Sequence, residues 1–191
     1  MNKKILATAT VFVLLVGGWY IFYGLKKPVQ PNKNYTTTSK NQKINNVVVL
    51  DYSHQGLTTV GPNIYNQNNV IQLILSYNSL KSLPSQLGNL NKLQVLRVDH
   101  NQLQGSLIAE IRKMPLQTLD VSYNDMTGIP AEIGQLSHLK FLDYSYNKIN
   151  SLPNEIANLK QLQVFNLTGN PLSINQISTL RKELPNTTIV F

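Results

Sequence analysis

Gln55, Asn78, Asn101, Asn124, Asn147 and Asn170 recur 23 residues apart, with no break in register. A fixed period of this length marks a chain built from stacked supersecondary units. Ahead of each polar residue lies one apolar frame. Leu93, Leu96 and Val98 precede Asn101, and Leu116, Leu119 and Val121 precede Asn124. Leu139, Leu142 and Tyr144 lead to Asn147, Leu162, Phe165 and Leu167 to Asn170, and Val70, Leu73 and Leu75 to Asn78. Val47, Leu50 and Tyr52 before Gln55 form the loosest copy. The apolar-x-apolar alternation predicts a short strand with one buried face. One coil cannot bury that face alone, so consecutive coils must stack and pool their leucines. Asparagine carries both donors and acceptors, so at the turn leaving each strand it can tie its own coil to the next.

The second halves of the units agree with one another: Leu80-Lys81-Ser82-Leu83-Pro84, Met126-Thr127-Gly128-Ile129-Pro130 and Ile149-Asn150-Ser151-Leu152-Pro153. With the first halves they resemble the leucine-rich-repeat family, whose signature is L-x-x-L-x-L-x-x-N-x-L, in its 23-residue form ending L-x-x-L-P. The resemblance covers 47–191 in six registered copies. It implies a right-handed α/β solenoid, with short parallel strands on a concave face and irregular or 3-10 structure on the convex side. The pairs Leu87/Leu90, Ile133/Leu136 and Ile156/Leu159 are expected to close that convex side. The third copy departs from the frame: it reads Asn101-Gln-Leu-Gln-Gly-Ser-Leu-Ile, with an extra residue and no proline, and resembles plant-type repeats. Tyr52 and Tyr144 stand at inward positions that are usually aliphatic, so their hydroxyls need partners or an exit to water. Ser173 and Gln176 form a capping-box pattern before Ile174, Ile177, Leu180 and Leu184, which predicts a helix. Pro185 ends it, and Thr187–Phe191 reads as a last strand. A helix–strand cap from about residue 173 is expected.

The other informative segment is 5–25, ILATATVFVLLVGGWYIFYGL, which has no charge in 21 residues. As a helix at about 1.5 Å per residue it spans roughly 30 Å, enough to cross a hydrocarbon core. Trp19, Tyr20 and Tyr23 cluster at one end, as interfacial aromatics do. Lys3-Lys4 and Lys26-Lys27 flank it. The reading is a single-pass signal-anchor over 1–25, then a polar linker over 26–46. The rival is a cleaved secretory signal, but the apolar run is long and no small-x-small site follows it. A short basic N-terminus usually stays in the cytoplasm, which puts the repeat domain on the extracytoplasmic side.

Net charge is +8, yet seven lysines and no acid lie before residue 44, leaving ten Lys/Arg against nine Asp/Glu beyond it. The folded part is near neutral, so its charge gives no support to nucleic-acid binding. Cysteine is absent, which excludes disulfides and thiolate chemistry. No Gly-rich phosphate loop appears, and no cofactor, metal or enzymatic activity is expected.

Outward strand residues should form columns, with neighbours about 4.8 Å apart. One column is His54, Tyr77, His100, Tyr123, Tyr146 and Gly169. A second is Asp51, Ile74, Arg97, Asp120, Asp143 and Asn166. A third is Val49, Gln72, Val95, Thr118, Phe141 and Val164. Aromatic and arginine side chains carry disproportionate interface energy. Tyr77, Arg97, His100, Tyr123, Phe141 and Tyr146 are therefore the candidate partner-binding residues, for a protein or peptide bound by a monomeric, membrane-tethered module. The competing reading is a cell-envelope spacer, in which Ser-Tyr-Asn and Asp-x-Ser are ordinary filler and the aspartates are solvated.

Overall fold

The computed structural model describes strand residues 13–16, 19–22 and 42–44 and all of 47–191. The chain divides into two compact units, 1–38 and 39–191.

In the first unit the described residues do not form the expected membrane-crossing helix. β1 (Val13–Val16) and β2 (Trp19–Phe22) pair antiparallel, with Val13 opposite Phe22 and Val16 opposite Trp19. β-branched and aromatic residues favour strands where no apolar solvent selects a helix. No helix among the described residues is long and apolar enough to cross a membrane. The remainder of 1–25, and the expected linker apart from 42–44, lie outside the described residues.

In the second unit the 23-residue period becomes a parallel sheet. β3 (Gln42–Ile44) and β4 (Val47–Asp51) are followed by the short helix α1 (Pro62–Tyr65) and β5 (Val70–Ile74). Then come β6 (Val95–Arg97), β7 (Gln104–Gly105), β8 (Thr118–Asp120) and β9 (Asp125–Met126). β10 (Phe141–Asp143), β11 (Val164–Asn166), helix α2 (Ile174–Glu183) and β12 (Thr188–Val190) complete the chain. The main sheet runs β3-β4-β5-β6-β8-β10-β11-β12, all parallel except the antiparallel β3. Residues 42–44 of the expected linker thus cover the N-terminal edge of the sheet. From β5 to β11, residues pair with their counterparts one period away, as in Leu96 opposite Leu119 and Leu142 opposite Phe165.

The inward residues Leu50, Leu73, Leu96, Leu119, Leu142 and Phe165 are buried and form one continuous core. On the far side the chain closes through 3-10 turns at Ser85–Asn89, Ala109–Lys113, Ala131–Gln135 and Asn154–Asn158. Pro84, Pro130 and Pro153 precede three of them in an extended conformation that proline supplies. A 3-10 turn repeats every three residues, so apolar pairs at that spacing share a face. Leu87/Leu90, Ile111/Met114, Ile133/Leu136 and Ile156/Leu159 are all buried this way. Coils approach closely here: a Cβ at Gly134 would meet the Glu155 carbonyl oxygen. In the third coil, Gln104–Gly105 pairs parallel with Asp125–Met126 of the next as a small separate sheet.

The asparagines form the expected ladder, directed back toward the preceding coil. Asn124 accepts from the Leu103 N–H at 2.9 Å and donates to the Val98 and Val121 carbonyls at 3.0 Å each. Asn147 and Asn170 repeat this one and two coils on. Gln55 replaces asparagine where no earlier coil exists to be bridged, and its own N–H is bound by Asn78 at 3.0 Å.

Tyr144 fills its core position with no exposure, and its hydroxyl has no hydrogen-bond partner among the described residues. Burial pushes that hydroxyl's pKa above the ordinary tyrosine value. The C-terminal cap forms as its sequence requires. Ser173 Oγ accepts from the Gln176 N–H at 3.3 Å, and Gln176 Oε1 accepts from the Ser173 N–H at 2.8 Å. Ile177, Leu180 and Leu184 are buried, whereas Ile174 at the helix start is exposed, before the helix reaches the core.

Candidate functional site

Each strand ends where the chain must turn sharply into its asparagine. The residue at that corner adopts the left-handed conformation: φ is 57° at His54, 57° at Tyr77, 52° at His100, 52° at Tyr123 and 53° at Tyr146. Gly169 fills the same place in the last coil at φ 75°. For an L-residue with a Cβ this conformation costs roughly 1–2 kcal/mol. The five side chains offset that cost by stacking. Ring centroids are 4.4 Å apart for His54–Tyr77, 4.1 Å for Tyr77–His100, 4.3 Å for His100–Tyr123 and 4.4 Å for Tyr123–Tyr146. Adjacent rings tilt by only 10–18°. The row ends at Gly169, where an added Cβ would lie 2.9 Å from a carbon of the Tyr146 ring.

Stacking decides what this row can offer a partner. The inner rings are covered on both faces by their neighbours, so edges and hydroxyls reach solvent. Tyr77, Tyr123 and Tyr146 are 40–45% exposed in this way. Burial and nearby carboxylates raise the Tyr77 pKa, and burial with the adjacent Tyr146 raises that of Tyr123. Their hydroxyls therefore stay protonated at neutral pH and remain able to donate. The ring of Tyr77 also lies between His54 and His100, so those two imidazoles cannot share a directly bound metal ion.

The aspartates are not the freely solvated strand residues expected from sequence. Asp120 Oδ1 accepts from the Ser122 N–H at 3.1 Å and Oγ at 2.7 Å. Asp143 does the same for Ser145, and Asp51 for Ser53. In the last coil Asn166 takes this role for Thr168, and its Nδ2 donates to Asp143 Oδ2 at 3.0 Å. The Asp-x-Ser spacing thus fastens the strand exit by a local side-chain turn. Asp99 sits two residues later in its coil, where it accepts from Ser76 Oγ and pairs with His100 Nδ1 at 3.0 Å. Burial, with Asp99 and Asp143 close by, pushes the Asp120 carboxyl up to about 7.

Four of the six candidates, Tyr77, His100, Tyr123 and Tyr146, are joined in one stack. Arg97 and Phe141 lie in the neighbouring columns of the same face, half-buried. Arg97 is opposite Ile74 and Asp120 in the sheet, yet among the described residues it pairs with no carboxylate. Its Nε is buried without a hydrogen-bond partner. Asp120, adjacent to Asp143 in its column by sequence, stood outside the candidate set although Asp99 and Asp143 crowd it, and the left-handed corner was not read from the sequence at all. Gly169, in register with five aromatics, was the available sign of that corner.

The family model described as "Leucine Rich Repeat" matches 92–114, and a second, "Leucine rich repeat", matches 115–172. No curated protein matches the chain. Among solved structures it is similar to a leucine-rich-repeat protein of Leptospira interrogans, at 33% identity and a TM-score of 0.62, over 71% of this chain and 40% of that one. A chain of the BIR3–SERK2 complex from Arabidopsis thaliana shows 27% identity and a TM-score of 0.56, over 71% of this chain and 74% of that one. Similarity to the Arabidopsis receptor kinase HAESA structure, a complex with the peptide hormone IDA and the co-receptor SERK1, is 29% with a TM-score of 0.54. It covers 63% of this chain and 22% of that one. The chain thus spans less than half the length of the Leptospira protein and under a quarter of HAESA. Repeat period, asparagine ladder, parallel sheet and family-model matches agree: the chain belongs to the leucine-rich-repeat family.

Proposed function

We infer that this chain is a non-enzymatic interaction module, monomeric and tethered to a membrane, that binds a protein or peptide on the strand face of its solenoid. The observation that carries this reading is the row of half-exposed ring edges beside an unpaired Arg97 and the column containing Phe141. Arg97 and Phe141 stand on strands, and the rings on the corners that follow the strands, all held in place by the core. Such a surface loses little ordering entropy when a partner docks. Arabidopsis relatives of the fold are seen in complexes with peptide or protein partners, which supports the same class of ligand.

The tether rests on 5–25, uncharged over 21 residues and flanked by lysine pairs. A lone two-stranded hairpin leaves both edges unpaired, and hydrocarbon does not tolerate unpaired backbone groups. In a bilayer the same residues satisfy every backbone group only as a helix. The repeat domain then lies on the extracytoplasmic side. The spacer reading draws on a real feature: the ring faces and most carboxylate oxygens of the strand face are already used within the chain.

One experiment separates these readings: crosslinking on intact cells, followed by partner binding to variants of the full chain. Tyr123→Phe with Tyr146→Phe keeps the stack and removes two edge hydroxyls. Interface hydroxyl loss in this pair is expected to weaken capture by about 1–2 kcal/mol, while Glu132→Lys on the convex side leaves it unchanged. Loss of capture on the convex change alone refutes the strand-face assignment.

A further inference from the structure

We propose that the strand face recognises an extended partner segment carrying an acidic side chain and, two residues on, a basic one, with the acid held by Arg97 and the base lying over Asp120 and Asp143. This deepens the interaction reading and rests on it.

The starting point is an imbalance among the charges of the face. Asp51, Asp99, Asp120 and Asp143 each accept hydrogen bonds from the chain's own serine, asparagine or histidine groups. Arg97, at the end of β6, has no partner among the described residues. The side chain is half-buried with an unpartnered Nε, and among the described residues no hydrogen bond or ion pair engages its terminal nitrogens. A guanidinium fork left unpaired at such a place calls for a carboxylate, the planar acceptor that engages both terminal nitrogens at once. The chain supplies no such carboxylate, although Asp120 stands on the adjacent strand.

The opposite need exists one step along the sheet. Asp120 Oδ2 accepts nothing, because both bonds from Ser122 go to Oδ1. Asp143 is the next member of the column, directly opposite Asp120 in register. Two neighbouring carboxylates with no cation between them favour a basic side chain placed over both.

Spacing turns these two needs into a motif. From Arg97 to the midpoint of Asp120 and Asp143 is one and a half strand steps, about 7 Å at roughly 4.8 Å per step. Two residues of extended chain advance about 6.6–6.8 Å, and side chains two apart point the same way. A segment crossing the strands from the third coil toward the fifth therefore matches acid-x-base. The reversed order places like charges together at both ends, so the pair also fixes the direction in which the partner runs.

The test uses short linear peptides displayed on phage and selected on the full chain in detergent. Peptides also retained by a Thr118→Arg chain, whose strand face is obstructed, are discarded. Acid-x-base is expected to be enriched over base-x-acid by at least about tenfold among the survivors, as an anchoring charge pair implies. Arg97→Gln should weaken a selected peptide by about tenfold and make it indifferent to exchange of its own Glu for Gln. Asp120→Asn should do the same toward exchange of the basic residue, and circular dichroism checks that both variants are folded. Survivors with no order preference, or a preference that Arg97→Gln leaves intact, overturn the motif while the interaction reading stands. A selection that yields no strand-face binder overturns both.

Discussion

Replacing Asp120 by asparagine tests the electrostatics of the strand face most directly. The carboxyl lies at about 7 in the folded chain against an ordinary 3.8, through burial first and then the proximity of Asp99 and Asp143. The native state therefore binds this proton more tightly than the unfolded chain does. Its stabilising contribution is complete below the ordinary carboxylate range, declines as pH rises from there, and is gone above about pH 7. The rise from 3.8 to about 7 sets a ceiling of about 4 kcal/mol. Partial solvent contact and counter-ions reduce the expected value to about 1–2 kcal/mol. Asparagine abolishes the titration but keeps the Oδ1 acceptor. The last coil already demonstrates that geometry, with Asn166 accepting from the Thr168 N–H at 3.2 Å and Oγ at 2.8 Å. Thermal unfolding of Asp120→Asn at pH 8 should thus occur roughly 2–8 °C above the parent chain. Near pH 4 the two should coincide. Lower stability at pH 8, or the same gain at both pH values, would refute the reasoning, since the carboxylate would then be favourable or its charge irrelevant.

Other outcomes follow from single features. Asn124→Ala leaves the buried Leu103 N–H without its partner and takes one donor from each of the Val98 and Val121 carbonyls, which keep Asn101 and Asn147; chemical denaturation should show a loss of about 1–3 kcal/mol, against little for exposed Asn154→Ala. Tyr144→Phe removes a buried hydroxyl that bonds to nothing and should leave stability unchanged or raise it by about 1 kcal/mol. Tyr123→Ala forfeits the stack while keeping φ at 52°, so Tyr123→Gly, which tolerates that backbone, should be the more stable of the two by about 1 kcal/mol; the reverse order would mean the corner is unstrained. Carbonate washing of membranes should retain the full chain if 5–25 anchors it, and a mature form beginning after residue 25 would establish cleavage instead.

The sequence by itself determined the repeat, its period and the inward face, because burying one face of a short strand admits a single apolar pattern and stacking demands that every coil share it. Leu96, Leu119 and Leu142 had no other role open to them. The ladder was readable for the same reason: asparagine supplies donor and acceptor at a fixed distance from the strand. The capping box of α2 was also visible, since its two bonds connect residues three apart. What only the tertiary structure decided lies between coils or at the corner of each coil. That Asn124 reaches back toward Leu103 depends on which neighbour the turn faces. That Tyr77 and His100 spend their ring faces on each other depends on a left-handed corner, which side-chain identity does not announce. Ile174 shares the helical period of Ile177 but lies outside the docked turn, a matter of where the helix meets the core. Arg97 and Asp120 read alike as outward charges in one column. Only packing revealed that one is half-buried and unpaired and the other crowded by its own kind, because those properties are sums over neighbours about a full period away in the chain.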